Sequence, residues 1–166
     1  MIFKLFFMMF FASGASMTTD HSAVIASTMT TYVLRLVPGD DPKVKLQDFV
    51  KEKNIKAAVI LSAVGSLNRS VIRYANEDRS ATLNGHFEIV SFSGTLGSTS
   101  GSHIHISVSD KTGKTLGGHL MDGSKVYTTL EVAIGSVNDV AFKREHDPAS
   151  TYDELKVYPL TDRAAH

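Results

Sequence analysis

Cysteine is absent from the 166 residues. That excludes disulfides and thiolate metal ligands, so any metal chemistry falls to His, Asp and Glu. Net charge is absent too: 17 Lys+Arg stand against 17 Asp+Glu, which leaves no overall field to draw the protein onto nucleic acid or an anionic membrane. There is no repeat, heptad or low-complexity tract. What remains is a chain with 43% hydrophobic residues and a mean hydropathy near zero, enough for one globular domain with a substantial core and too short for two.

The sequence predicts a leader and a flexible arm over residues 1–28, the domain over residues 29–160, and a short C-terminal tail over residues 161–166. The leader opens MIFKLFFMMFFA, an apolar run too short to span a bilayer. It fits the h-region of a secretory signal, with Lys4 ahead of it and Ser13 and Ala15 as small residues before a cleavage point. The competing account is a start placed too far upstream, since Met17 or Met29 could begin the chain without loss to the domain. The first account makes the protein secreted and Asn68-Arg69-Ser70 a glycosylation sequon. The second makes it cytoplasmic and the tripeptide a chance match.

Thr30 to Val37 is rich in β-branched and aromatic residues and ends at Pro38-Gly39-Asp40-Asp41, which predicts a strand and a turn. Asp41 before Pro42 is an N-cap and first-turn pair, and Val44, Leu46, Phe49 and Val50 recur on one helix face up to a stop at Asn54. Ala57 to Val64 is a nearly unbroken apolar run, which predicts a strand buried on both faces. Val71 to Tyr74 starts another strand, His86 to Phe92 another, and Val126 to Val137 the last long one. Gly94 to Ser102 reads as a flexible Gly- and Ser-rich loop whose spacing matches neither the P-loop nor the dinucleotide fingerprint. From Lys143 onward the chain is charged and loosely patterned, with Tyr152, Leu155 and Val157 as docking points onto the domain.

Ser102 to Asp110 alternates polar and apolar residues without a break, as a half-buried strand does. His103 and His105 then share one face, roughly 6.5 to 7 Å apart along the strand, while Ile104, Ile106 and Val108 point into the core. The turn decides where His119 falls. Asp110-Lys111-Thr112-Gly113-Lys114 suits a three-residue loop with Gly113 in the left-handed position. In that register Ser109 faces Thr115 and His105 faces His119; a two-residue loop would put His119 opposite Ile104, on the apolar face. Gly117 and Gly118 leave room beside the imidazoles. Three neutral imidazoles on one face can bind a divalent ion, zinc foremost, and keep a fourth position for water or a small-molecule ligand. The plainer alternative is three half-exposed histidines bonded to neighbours. Asp122 and Glu131 are candidate acceptors for the outer imidazole N–H groups, whereas His86 and His146 read as structural.

Three ordered blocks carry a family resemblance: Gly85-His86-Phe87-Glu88-Ile89-Val90-Ser91-Phe92-Ser93-Gly94-Thr95-Leu96, then His103-Ile104-His105-Ile106-Ser107-Val108-Ser109-Asp110, then Gly117-Gly118-His119-Leu120. With Ser62-Ala63-Val64-Gly65-Ser66-Leu67 they resemble the plants and prokaryotes conserved (PPC) domain, also called DUF296. The resemblance implies an α+β fold, a central, mainly antiparallel sheet with flanking helices, and a homotrimer. In prokaryotic relatives the positions of His103, His105 and His119 look like a metal site. Plant members add AT-hook segments that grip DNA and use a Gly-Arg-Phe-Glu-Ile-Leu block to contact nuclear proteins. This chain has no Arg-Gly-Arg core, and His86 replaces that block's Arg, so it resembles the prokaryotic type.

Three functions follow for comparison. The first is a trimeric protein that binds a divalent metal, zinc foremost, through His103, His105 and His119. The second is a DNA-associated regulatory module of the plant kind, disfavoured by the missing AT-hook. The third is a trimerising scaffold whose histidines bind nothing. No reaction or substrate is named by any of them.

Overall fold

The computed structural model describes residues 24–160, so the leader expected over residues 1–28 falls largely outside the described residues and the tail over residues 161–166 entirely so. β1 (Met29–Leu36) forms within a residue of its expected span. After a turn through Gly39, Asp41 caps α1 (Pro42–Glu52), accepting from the N–H groups of Lys43 at 3.1 Å and Val44 at 3.4 Å. Asn54, with φ of 52°, supplies the left-handed residue that ends the helix. Leu46 and Val50, one turn apart, are fully buried and fasten α1 to the sheet. It is the one helix among the described residues, where flanking helices were expected.

The remaining elements are β2 (Ala58–Arg73), β3 (Ser80–Gly97), β4 (Gly101–Ser109), β5 (Thr115–Leu120), β6 (Lys125–Val137), β7 (Val140–His146) and β8 (Asp153–Pro159). The six strands β1-β6-β2-β3-β4-β5 are antiparallel neighbours in that order. β2 is long enough to pair with β6 and β3 and, through Ile72 and Arg73, with β5 as well. That last pairing curls β2 to β5 round one interior, filled by Leu67, Ile72, Leu96, Ile104, Ile106 and Leu120. Each such side chain contributes roughly 1.5–3 kcal/mol when it leaves water.

Several expectations need correction. The strand expected from Val71 is the far half of β2, carried past register shifts between Ile60 and Arg69; a bulged strand keeps pairing where its polarity pattern breaks. The expected loop from Gly94 to Ser102 is mostly strand, because β3 runs to Gly97 and β4 resumes at Gly101. Small residues there let the two backbones approach, and composition alone does not separate that use from a loop. The charged segment expected to be loose from Lys143 onward belongs, as far as it is described, to the β7–β8 hairpin, a second sheet that opens at Val140. Its Val140, Phe142, Leu155 and Val157 pack with Ala57 and Val59, whereas Tyr152 stays exposed.

That hairpin explains why the apolar run is only half covered. Ala58 and Ile60 face the main core, and Ala57 and Val59 lie under the hairpin. Beyond them Leu61 is 49% and Val64 60% exposed, and Val33 of β1, across β6, is 80% exposed. The expectation of burial on both faces therefore fails over residues 61–64.

Candidate metal centre

The β4–β5 turn forms as its residues require. Gly113 has φ of 82°, a conformation open to glycine. Its N–H donates to the Asp110 carbonyl at 2.9 Å, and the Asp110 N–H donates to the Lys114 carbonyl at 3.0 Å. The Asp110 carboxylate locks the loop, accepting from Thr112 N–H at 2.8 Å, Thr112 Oγ1 at 2.6 Å and Lys114 N–H at 3.2 Å. These bonds hold the Asp110 carboxyl below the usual carboxylate range. The resulting register pairs Ser109 with Thr115 and His105 with His119, as the sequence predicts.

Ile104, Ile106 and Val108 fill the interior, so the alternation sends His103 and His105 outward, and His119 joins them from β5. His103 Nε2 lies 3.2 Å from His105 Nε2 and 3.2 Å from His119 Nδ1. The three nitrogens fall within 4.8 Å of one another. A tetrahedral ion with Zn–N bonds of about 2.0–2.1 Å separates its ligand nitrogens by about 3.3 Å, so the donor set fits such an ion in type, and the two spacings from His103 Nε2 fit it in distance. One ring nitrogen carries at most one proton, so His103 Nε2 can donate to only one of its two neighbours, and a cation at the common focus would satisfy all three lone pairs.

Burial pushes the His103 pKa down, helped by the Arg144 guanidinium and by His105, with Glu154 opposing and Arg73 adding to the effect. Burial also lowers His119, followed by Arg73, His105 and His103. Both rings are thereby biased toward the neutral form that ligates metal.

The acceptors expected behind the imidazoles are elsewhere. Asp122 pairs with Lys43 at 2.9 Å. Glu131 sits on β6 between Arg35 and Val64, away from the hairpin. His86 stacks on Tyr127 with ring centroids 4.1 Å apart, and His146 lies across from Asp153 on β7; neither joins the trio. Gly118 gives room to the fold and not to a ligand: a Cβ there would lie 2.5 Å from the Arg73 carbonyl oxygen and 2.8 Å from Ile72 Cγ2.

Two site residues are not found from the sequence. Arg73, at the end of β2, is the register partner of His119, and Arg144 of β7 donates to Thr95 Oγ1 at 3.0 Å. Thr95 in turn is the register partner of His103. Both arginines line a cleft of about 840 Å³ together with His103, His119, Tyr152 and Glu154. Arg144 lies in the segment that reads as a loose tail, and Arg73 reaches His119 only through the closure of β2 on β5.

Known proteins share this architecture. The chain is 38% identical over 135 residues to the bifunctional protein GlmU of Synechococcus sp. (strain JA-3-3Ab), an alignment covering 81% of this chain and 22% of that protein. The chain thus spans about a fifth of the curated relative it matches. A hypothetical protein from Salmonella enterica superposes with a TM-score of 0.79 at 42% identity, covering 84% of this chain and 99% of that one. A metal-containing protein from Archaeoglobus fulgidus superposes with a TM-score of 0.69 at 28% identity, covering 80% and 97%. Residues 24–138 match the family model of the Plants and Prokaryotes Conserved (PCC) domain, and the chain belongs to that family.

Proposed function

We propose that this PCC-domain protein binds a divalent metal ion, zinc foremost, through His103 Nε2, His105 Nε2 and His119 Nδ1. The observation that carries the reading is the convergence of three ring nitrogens on one hairpin, with His103 Nε2 at 3.2 Å from each of the other two and all three within 4.8 Å. The similar Archaeoglobus protein, described as metal-containing, supports it. An ion held by three imidazoles keeps an open coordination position, where it would polarise a bound oxygen group or activate water. The chain's own part is to hold the three rings convergent, with His103 and His119 biased toward the neutral form, and to set the cleft beside them for a small-molecule ligand.

Protein purified without chelator is expected to carry about one ion per chain by elemental analysis, and the His103→Ala/His105→Ala/His119→Ala variant none. His119→Ala alone should weaken zinc binding by about a hundredfold or more, since altering even the partners behind a ligand costs about 10–100-fold. Equal metal content in wild type and triple variant would overturn the reading.

We further propose a homotrimer, as the family resemblance implies. The exposed Val33, Leu61 and Val64 on β1 and β2 support an apolar contact between copies. Light scattering that returns a monomer at micromolar concentration would refute it. The DNA-associated alternative rests on the family resemblance; over the 166 residues formal charge is balanced and no Arg-Gly-Arg core occurs.

A further inference from the structure

Arg73 and Arg144 bracket the histidine trio, and the fold makes little use of their charge. Arg73 stands beside His119 as its register partner on the same face, about 4.5–5.5 Å away between Cβ atoms. Its Nη1 donates to the Glu77 carbonyl at 3.2 Å. Arg144 is steered toward His103 by its bond to Thr95. Each guanidinium has five N–H donors, so a bond apiece to a neutral oxygen leaves most of the fork uncommitted. Among the described residues neither forms an ion pair with a carboxylate, whereas Lys43, lining the same cleft, is neutralised by Asp122 at 2.9 Å.

The charges around the cleft say what would settle there. Two guanidiniums beside a divalent ion gather positive charge next to the trio, and an anion placed against them gains local attraction there even though carboxylates elsewhere on the cleft wall balance the total. Planar guanidinium forks match the oxygens of carboxylate and phosphate. Glu77, Asp78, Asp153 and Glu154 also line the cleft. Their four negative charges disfavour a polyanion such as a nucleic-acid backbone, while a single small anion can sit against the arginines. The volume, about 840 Å³, is of the size that holds a small molecule.

We propose that the cleft binds a small molecule through an anionic oxygen group, carboxylate or phosphate, received by Arg73 and Arg144 beside the open position of the metal. The inference rests on the metal-binding reading and names the ligand class of that site. Arg73 and Arg144 are positioning residues: they orient the anion and do not hold the ion.

The test uses full-length protein loaded with Zn²⁺, titrated calorimetrically with inorganic phosphate and with succinate at constant ionic strength. Wild type is compared with Arg73→Gln, Arg144→Gln, the double variant, and Arg73→Lys/Arg144→Lys. Zinc affinity is measured on each first, and folding is checked by thermal melting. Wild type is expected to bind at least one anion; binding of phosphate alone assigns a phosphoryl ligand and of succinate alone a carboxylate. The double Gln variant should retain zinc within about threefold and lose anion affinity by about tenfold or more, the loss expected for charge-assisted hydrogen bonds. The Lys pair should recover part of it. No anion binding by zinc-loaded wild type, or equal binding by the double Gln variant, overturns this inference and leaves the metal reading standing. Failure of wild type to take up zinc overturns both, and the separate zinc titration tells the two failures apart.

Discussion

Substituting Gly118 by Ala strikes the contact on which the site depends. The added Cβ would lie 2.5 Å from the Arg73 carbonyl oxygen, 2.8 Å from Ile72 Cγ2 and 3.3 Å from the Arg73 carbonyl carbon. Non-bonded carbon contacts are optimal near 3.5–4.0 Å, so β5 and the end of β2 must part by roughly half an ångström or more. Neither atom group yields easily: Ile72 is fully buried, and the Arg73 carbonyl belongs to backbone. Overpacking of this kind costs about 1–3 kcal/mol, offset by about 0.5–1 kcal/mol from replacing a strand glycine. The net loss of about 1–2 kcal/mol corresponds to a Tm drop of roughly 4–10 °C for a domain of this size. Because His119 is the next residue and Arg73 its neighbour, zinc affinity should fall by about tenfold, the equivalent of about 1.4 kcal/mol. Gly135→Ala is the control. There the three atoms nearest the new Cβ all belong to the side chain of Met29, half exposed and flexible, so its Tm should stay within about 2 °C of wild type. Calorimetric melting and zinc titration of both variants check the argument. A Gly118→Ala protein with unchanged Tm and zinc affinity, or a Gly135→Ala protein that loses as much, would refute it.

Two further outcomes follow from the same contacts. Asp41→Ala removes the acceptor for Lys43 and Val44 N–H and for Gly123 N–H at 2.6 Å; a loss of about 2 kcal/mol is expected, the upper end for a helix cap, with Asp41→Asn losing less, and a denaturant-measured loss below about 0.5 kcal/mol would contradict the capping assignment. His103 and His119 titrate below their ordinary value in the folded protein, so between their folded pKa values and about 6.5 the unfolded chain binds more protons. Metal-free protein should therefore lose stability as pH falls below about 6.5 and change little from these groups above about 7.5, with a flatter profile for His103→Ala/His119→Ala; a Tm that rises on acidification to pH 5.5 would sink the idea.

How much of the molecule is legible in its sequence depends on how far apart the cooperating residues lie. The β4–β5 hairpin is a local object. Alternation fixes its faces, and Asp110 with Gly113 fixes its turn, so the pairing of His105 with His119 follows from the residues themselves. The cap at Asp41 and the stop at Asn54 are local in the same way. The long apolar run cannot be resolved locally. Its first half is covered on one side by β7 and β8, elements from more than 80 residues downstream, and the exposure of Leu61 and Val64 has no counterpart in their hydrophobicity. Strand β2 reads as two pieces because a bulge shifts the face on which side chains lie without breaking the ladder.

The same distinction separates the two halves of the site. The candidate ligands sit in one hairpin, where their geometry depends on a single turn. The arginines arrive through separate long-range events: Arg73 through the closure of β2 on β5, and Arg144 through docking of the β7–β8 hairpin against Thr95. A change that loosens either event should then alter what the cleft accepts before it alters whether the ion binds, because the imidazoles keep their own turn. Asp110 lies at the root of that turn, and the carboxylate bonds to Thr112 and Lys114 are lost in Asp110→Ala. That variant should weaken zinc binding along with anion binding, while Arg144→Gln should weaken anion binding alone. If instead Arg144→Gln released zinc as readily as Asp110→Ala, the two parts would be one cooperative unit, and the division between a local metal centre and a long-range anion cleft would be wrong.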